Sequence, residues 1–372
     1  MSAYTAERLL LKVASRCNLA CTYCYWFKDP AVMSTPPLLS KEVENHFVRR
    51  LEDHAVTHKL DRFSIALHGG EPMLFGKKRF AELCLTLREV SSRTGCVFNI
   101  SMQTNGTLLD GEWVDLIKLF DVNVGISLDG PAYYNDVVRP AVSGGGSFDK
   151  VVHGLRLLQN AGMDPGVLAV WSPLLSAQAL VHLIADDLQV NWFDVLMPDA
   201  TLDDTVPDIS TFYIELFDLW LTELHARGIT VRCAENFVRA VTGHSTSSES
   251  IGLNPVTTFS VNTAGEYELL DVFNILGNSY ARTGQFVSDC AISQVPKIPK
   301  WKKQVADSVQ LCLKCRECRH HTACGGGYLP WRYSKSGGFD NPSAHCGSLE
   351  RIFDHVAARV RILSTALDSG FC

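Results

Sequence analysis

At 372 residues, 46% hydrophobic and 20% charged, the chain can bury a large α/β core and a smaller second unit without a covalent staple. Its formal net charge of -6, with no long run of like charges, excludes a general attraction to nucleic acid or anionic lipid. The N-terminus "MSAYTAERLLLKVASRC" has no charged leader with an apolar stretch and cleavage site, and no segment is apolar over a bilayer's width, so a cytoplasmic protein without membrane or nucleic-acid partners is expected.

From Leu9 to about Trp192, strand-like runs alternate with amphipathic helical stretches. The strands are "LLLKVA", "FSIALHGG", "CVFNISMQTNG", "VNVGISLDG", "GVLAVWS" and "NWFDVLM"; the helices between them are "SKEVENHFVRRLEDH", "KKRFAELCLTLREVSSR", "DGEWVDLIKLF", "SFDKVVHGLRLLQNAG" and "SAQALVHLIADDL". Such alternation predicts a parallel sheet with helices packed outside it, and chemistry at the strands' C-terminal ends. Those ends carry the cysteines after "LLLKVA", then "HGGEP", "QTNG" and "SLDGP". Beyond residue 200 the pattern changes to a long helix "DISTFYIELFDLWLTELHARG", a Ser-rich loop "TGHSTSSES", a β-hairpin "TTFSVNTAGEYELLDVF", a cysteine-rich segment and a final helix from about Ser348 to Leu367. The expected division is residues 1–245 and 246–372.

Thirteen cysteines, an odd number, argue against a closed disulfide framework and for metal binding in a reducing compartment. Cys17, Cys21 and Cys24 form CxxxCxxC near the start; Cys312, Cys315, Cys318, Cys324 and Cys346 gather near the end. Three thiolates around one loop suit a four-iron cluster with one iron left open to an exogenous ligand. The later set, taken alone, also fits structural zinc.

The ordered motifs "CNLACTYCYW", "HGGEP", "SMQTNGTLL" and "GISLDGP" resemble those of the radical S-adenosylmethionine (AdoMet) enzymes, over residues 9 to about 200. The resemblance implies a partial (β/α)6 TIM-like barrel. A [4Fe-4S] cluster on Cys17, Cys21 and Cys24 would hold AdoMet, whose reductive cleavage yields a 5'-deoxyadenosyl radical that abstracts hydrogen from substrate. It places Tyr23 near the adenine, and Gly69, Gly70 and Glu71 of "GGEP" at the methionine amino group, the glycines permitting close backbone approach. Gln103, Asn105, Ser127 and Asp129 match strand-end motifs of the peptide-modifying branch. "NDVVRP…GGGSFDKV" matches a segment that there begins with histidine, here Asn135, and offers Arg139 as a carboxylate contact. Tyr25, Trp26 and Phe27 are either a substrate wall or packing.

The C-terminal segment resembles the SPASM domain of that branch, over about 254 to 350, a twitch-like region that binds auxiliary iron–sulfur clusters. Cys315, Cys318, Cys324 and Cys346 then supply one auxiliary [4Fe-4S] cluster, with Cys312 and Cys290 as further candidate ligands. Leu270, Tyr328 and the neighbourhood of Asn254 lack the thiols a second cluster would use. Asp271 stands where an aspartate of the sulfatase-maturating relatives takes the proton lost on substrate oxidation, and is either a candidate base or a hairpin-end aspartate held by backbone amides. "GGGYLPWRYSKSGGFDNPSAHC" resembles enzymes that cross-link ribosomally made peptides, including cyclophane-forming maturases; Tyr328, Trp331, Arg332 and Asp340 are substrate contacts or cluster packing.

The expected activity is hydrogen abstraction from a precursor peptide, leading to a cyclophane, ether or thioether cross-link. Formylglycine formation in a sulfatase, peptide epimerisation and dehydrogenation are the alternatives within the chemistry, and a zinc-bound peptide adaptor is the alternative outside it. The partners implied are the peptide and an electron donor such as flavodoxin or ferredoxin; since little chain precedes Leu9, the peptide is recognised either by this fold itself or by a separate leader-binding protein.

Overall fold

The structure, a computed structural model, describes residues 4–369, and their side chains as far as Leu363. In chain order the first elements are β1 (Arg8–Ala14), α1 (Lys41–His58), β2 (Arg62–Gly69), α2 (Lys77–Thr94), β3 (Val97–Thr104), α3 (Gly111–Leu119), β4 (Asn123–Ser127), α4 (Ala132–Val138) and α5 (Phe148–Asn160). There follow β5 (Gly166–Val170), α6 (Ala177–Val181), β6 (Trp192–Leu196), α7 (Ser210–Leu219), β7 (Thr230–Val231) and α8 (Arg232–Val241). The last are β8 (Ser260–Val261), β9 (Glu266–Glu268), β10 (Arg282–Phe286), α9 (Pro299–Val309), α10 (Leu313–Arg316), α11 (His321–Cys324) and α12 (Cys346–Ser369). The α/β class and all six expected strands are present.

The chain divides into two compact units. The first comprises the chain up to Leu128, Asn135–Gly166 and Thr257–Gln304. Within it β1 to β4 pair in parallel, in sequence order. The expected hairpin forms from β8 and β9, and β8 joins the other edge of β1 in parallel, with Leu10 opposite Ser260. One face of β2 and β3 buries Phe63, Ile65, Leu67, Phe98, Ile100 and Met102, the period-2 alternation of a half-covered sheet. The opposite face carries small and polar residues: Lys12 lies opposite His68, and Gln103 opposite Gly125. Ser40 and Asp110 cap α1 and α3 by accepting the amides of Val43 and Trp113.

The second unit comprises Asp129–Tyr134, Val167–Val256 and the chain from Val305 onward. Its strands β5, β6 and β7 are parallel. The expected long helix is α only over α7; it continues as a wider π turn at Trp220–Leu224 and a tight 3-10 turn at His225–Arg227. α8 and α9 were not anticipated. In α8 the buried stripe is Cys233, Ala234, Phe237 and Ala240, a helical repeat disguised by small residues. Among the described residues no helix is long and apolar enough to cross a membrane.

Candidate active site

The loop after β1 carries Cys17, Cys21 and Cys24, and backbone hydrogen bonds hold it on two sides. On one side Gly70 N–H donates to the Ala14 carbonyl at 2.9 Å, and Glu71 N–H to that of Arg16 at 2.8 Å. A Cβ on Gly69 would stand 1.9 Å from the Ala14 oxygen, and one on Gly70 2.2 Å from the Arg16 oxygen. The close approach these glycines permit is therefore to the stem of the cysteine loop. On the other side Ala20 and Thr22 donate to the carbonyls of Pro140 and Val138, and Val142 to that of Asn18, at 2.8–3.0 Å.

That second wall explains the "NDVVRP…GGGSFDK" segment. Asp136 accepts the amides of Ser147 and Phe148, both at 2.8 Å, while buried Asn135 donates to Ser147 Oγ at 3.0 Å. Asparagine thus serves as a hydrogen-bonding tie at the position where the resembled segment has histidine. The Ser147 hydroxyl donates to the Arg139 carbonyl at 2.7 Å, and the buried Arg139 guanidinium donates to the Tyr23 phenol. Tyr23 and Arg139 are thereby brought together beside Cys24.

Glu71 is buried and accepts from Met73 N–H at 3.0 Å, Thr104 Oγ1 at 2.6 Å and Asn105 N–H at 2.8 Å. Burial pushes its pKa up, against the pull of these donors and of Arg139. Of roughly four acceptor directions on a carboxylate, three are spent, two of them tying the end of β3 to that of β2, which leaves one for a ligand ammonium. Asn105 donates to Asn18 Oδ1 at 2.8 Å and faces Cys17 Sγ at 3.8 Å, and Asn18 in turn donates to Thr107 Oγ1 at 2.8 Å. Asn105 therefore orients Cys17, with Asn18 and Thr107 as partners the sequence reading missed. Gln103 donates to Ser127 Oγ at 2.9 Å. Asp129, in the second unit, is fully buried and accepts the amide of Val170 at 2.9 Å, a tie at the end of β5.

The thiols sit among backbone donors. Leu19 N–H points at Cys17 Sγ at 3.4 Å, and the amides of Trp26 and Phe27 at Cys24. Burial pushes the Cys17 thiol up to about 12 and raises Cys24. Three part-buried thiols, two of them facing backbone N–H donors, form a donor set that suits iron–sulfur ligation, which needs thiolates stabilised by fixed dipoles.

Beside this loop lies a buried ionic cluster. Lys12, 0% exposed in the middle of β1, donates to Glu268 Oε2 at 2.8 Å and stands 4.0 Å from Asp271 Oδ2 and 4.0 Å from the Trp26 ring centroid. Tyr25, the residue after Cys24, donates its hydroxyl to Asp271 Oδ2 at 2.7 Å, and His68 Nδ1 lies 4.0 Å from the same oxygen. Burial lowers the His68 pKa, partly offset by Asp271. Of the three aromatics after the cysteine loop, Trp26 is packing, its ring buried and its N–H on the Ser15 carbonyl, whereas Tyr25 reaches Asp271. Lys12 and Glu268 were missed, though a charge inside "LLLKVA" and two glutamates in the hairpin were visible signals.

In the second unit Cys312, Cys315, Cys318, Cys324 and Cys346 are electrostatic neighbours, and burial pushes Cys315 and Cys324 up to about 12. Gly326 N–H points at Cys324, and His320 N–H at Cys318 Sγ at 3.4 Å. Cys312 is hydrogen-bonded to Cys315. Cys290 lies in the first unit, where its thiol donates to the Ala291 carbonyl at 3.6 Å. His320 is engaged by Asp354 at 2.8 Å, and Trp331 packs edge-on to Tyr328 and His345. Among the described residues no three Cys, His, Asp or Glu side chains converge on a single-ion site.

Residues 11–172 match the Radical SAM superfamily. This chain is a radical SAM enzyme. Its cofactors are accordingly AdoMet and a [4Fe-4S] cluster. The radical SAM enzyme is 26% identical to a cysteine-type anaerobic sulfatase-maturating enzyme of Clostridium perfringens strain 13, over 95% of this chain and 96% of the relative. It is 32% identical to a serine-type anaerobic sulfatase-maturating enzyme of Bacteroides thetaiotaomicron, over 42% of this chain and 37% of the relative. The solved structure of native anSMEcpe with bound AdoMet shares the fold, with a TM-score of 0.83 at 22% identity, covering 97% of this chain and 99% of the other.

Proposed function

We propose that this enzyme oxidises a peptide by hydrogen-atom abstraction, with cross-linking of side chains in a ribosomally made precursor as the reaction class. The observation that carries the reading is the placement of Asp271, buried and tied through Tyr25 to the cysteine loop, with Lys12 beside it. AdoMet on the cluster of Cys17, Cys21 and Cys24 supplies, when bound, the hydrogen-abstracting radical. In this reading Asn105 orients Cys17, Arg139 and Tyr23 line the cofactor's side of the loop, and Glu71 offers its remaining acceptor direction to the ammonium. Asp271 takes the proton released as the substrate is oxidised: Tyr25, Lys12 and His68 all meet Oδ2, so Oδ1 is the oxygen assigned to receive it. Cys315, Cys318, Cys324 and Cys346 would hold one auxiliary cluster, which would supply a one-electron acceptor for the oxidation.

Peptide substrates are supported by two solved structures of this fold, native anSMEcpe with AdoMet and the Kp18Cys or Cp18Cys peptide. Cross-linking is favoured over formylglycine formation by the two missing thiol positions: Leu270 is buried with its N–H on Gln304 Oε1 at 2.8 Å, and Tyr328 packs on Trp331. Formylglycine formation is the second reading, favoured by sulfatase-maturating relatives that match along nearly the whole chain. Mass spectrometry of a peptide encoded beside the gene, expressed with and without the enzyme, separates them. Loss of two hydrogens without reactivity to a carbonyl reagent is expected. A carbonyl-reactive product would establish formylglycine, and unchanged mass with inverted stereochemistry would establish epimerisation.

A further inference from the structure

Arg332 ends the short turn Leu329–Arg332 in the second unit, and its side chain is 1% exposed. The guanidinium donates only to backbone carbonyls: Ser308 at 3.2 Å, Phe339 at 3.0 Å, and Gln310. Its Nε has no hydrogen-bond partner, and no carboxylate among the described residues lies within ion-pair distance. Of the groups able to carry negative charge, Cys315 acts on it most strongly, then Cys312, Asp307 and Asp340. Gly326, whose amide points at Cys324, is adjacent: a Cβ there would lie 3.8 Å from Arg332 Nε.

A cation stripped of water costs several kcal/mol unless an anion faces it, and carbonyl dipoles alone do not neutralise its charge. Neutral thiols would leave Arg332 uncompensated. An iron–sulfur cluster on four thiolates carries net negative charge in both redox states, more so when reduced. We propose that Arg332 is the fixed counter-charge of the cluster held by Cys315, Cys318, Cys324 and Cys346, and that it raises that cluster's reduction potential. This rests on the ligand set proposed above. The step would be a one-electron reduction: the cluster would take one electron from the substrate radical as that radical is oxidised, or from a flavodoxin-type donor. The guanidinium stays protonated throughout and stabilises the extra charge. Its Nε, without a hydrogen-bond partner and next to Gly326, is the donor such a cluster would engage.

The test uses full-length enzyme with Cys17, Cys21 and Cys24 replaced by alanine, so that only the auxiliary cluster remains, reconstituted anaerobically and titrated by EPR-monitored potentiometry. Arg332→Gln removes the charge, and Arg332→Lys keeps it. The glutamine variant is expected to disfavour the reduced state at least tenfold, about 59 mV for a one-electron couple, while the lysine variant stays within threefold of the parent. Iron lost from the glutamine variant but retained by the lysine variant, both folded by circular dichroism, also supports a charge role. Iron retained with an unchanged potential in Arg332→Gln, or iron lost equally from both variants, overturns the proposal in favour of packing. A parent without any auxiliary signal overturns it on other grounds, by refuting the ligand set itself.

Discussion

Replacing Gly70 by alanine should release the cysteine loop from its scaffold. The new methyl would sit 2.2 Å from the Arg16 carbonyl oxygen and 2.4 Å from its carbon, about 0.8 Å inside the 3.0 Å limit of real Cβ contacts. Both obstacles are backbone, so no side-chain rotation relieves them. Relief by separating the two segments breaks Gly70 N–H to Ala14 and Glu71 N–H to Arg16, each about 1 kcal/mol, on top of an overpacking cost of about 1–3 kcal/mol. A total of about 3–5 kcal/mol is a large share of a typical domain's about 5–15 kcal/mol. Local opening of the loop is the cheaper escape, so the N-terminal cluster should go first. Iron per chain after anaerobic reconstitution and the urea midpoint measure this: Gly70→Ala should lose the iron of Cys17, Cys21 and Cys24 and shift the midpoint down. Gly111→Ala, at the first residue of α3 with nothing within 4 Å of the added carbon, should be neutral or about 0.4–1 kcal/mol stabilising. Gly70→Ala with parental iron content and midpoint would refute the close-approach argument.

Asp271→Asn should retain 5'-deoxyadenosine formation while losing modified peptide, read by chromatography and mass spectrometry on the same reaction; full product yield would remove Asp271 from the base role. Glu268→Gln leaves Lys12 buried with only Asp271, at 4.0 Å, and should cost about 3 kcal/mol in urea unfolding, the lower end for a broken buried pair; no change would mean that Lys12 is compensated elsewhere. Burial lowers the pKa of His54, His68 and His345, so the native state favours their neutral forms. The unfolded chain then binds more protons below about pH 6.5. Stability should be fully present above that value and fall as pH drops through it, seen as a lower urea midpoint at pH 5.5 than at 7.5; equal midpoints would contradict the burial of these rings.

The six strands and their motif-bearing ends were legible because a parallel sheet with helices on its outer face imposes apolar residues at alternate positions and puts polar or glycine-rich sequence at the C-terminal ends. What stayed hidden were roles set by tertiary pairing. GGEP reads as a ligand cradle; that its glycines also meet Ala14 and Arg16, a contact between segments more than fifty residues apart, is something no local pattern encodes. Arg139 reads as a carboxylate contact from its motif, while its hydrogen bond to Tyr23 and the Asp136 and Ser147 ties around it are visible only in the fold. Lys12 was masked by its setting in an apolar strand; only the pairing of β1 with β2 and β8, and of β8 with β9, gathers Glu268, His68 and Asp271 around it. The π turn in the long helix has no glycine or proline in "DLWLTEL" to mark it.

The most direct test of the account is whether anaerobically reconstituted enzyme, reduced by dithionite in the presence of AdoMet, forms 5'-deoxyadenosine. The enzyme is predicted to form it, and replacement of Cys17, Cys21 and Cys24 by alanine to abolish it while iron bound by the C-terminal cysteines remains. Wild-type enzyme shown to contain its clusters and yet forming no 5'-deoxyadenosine would contradict the account.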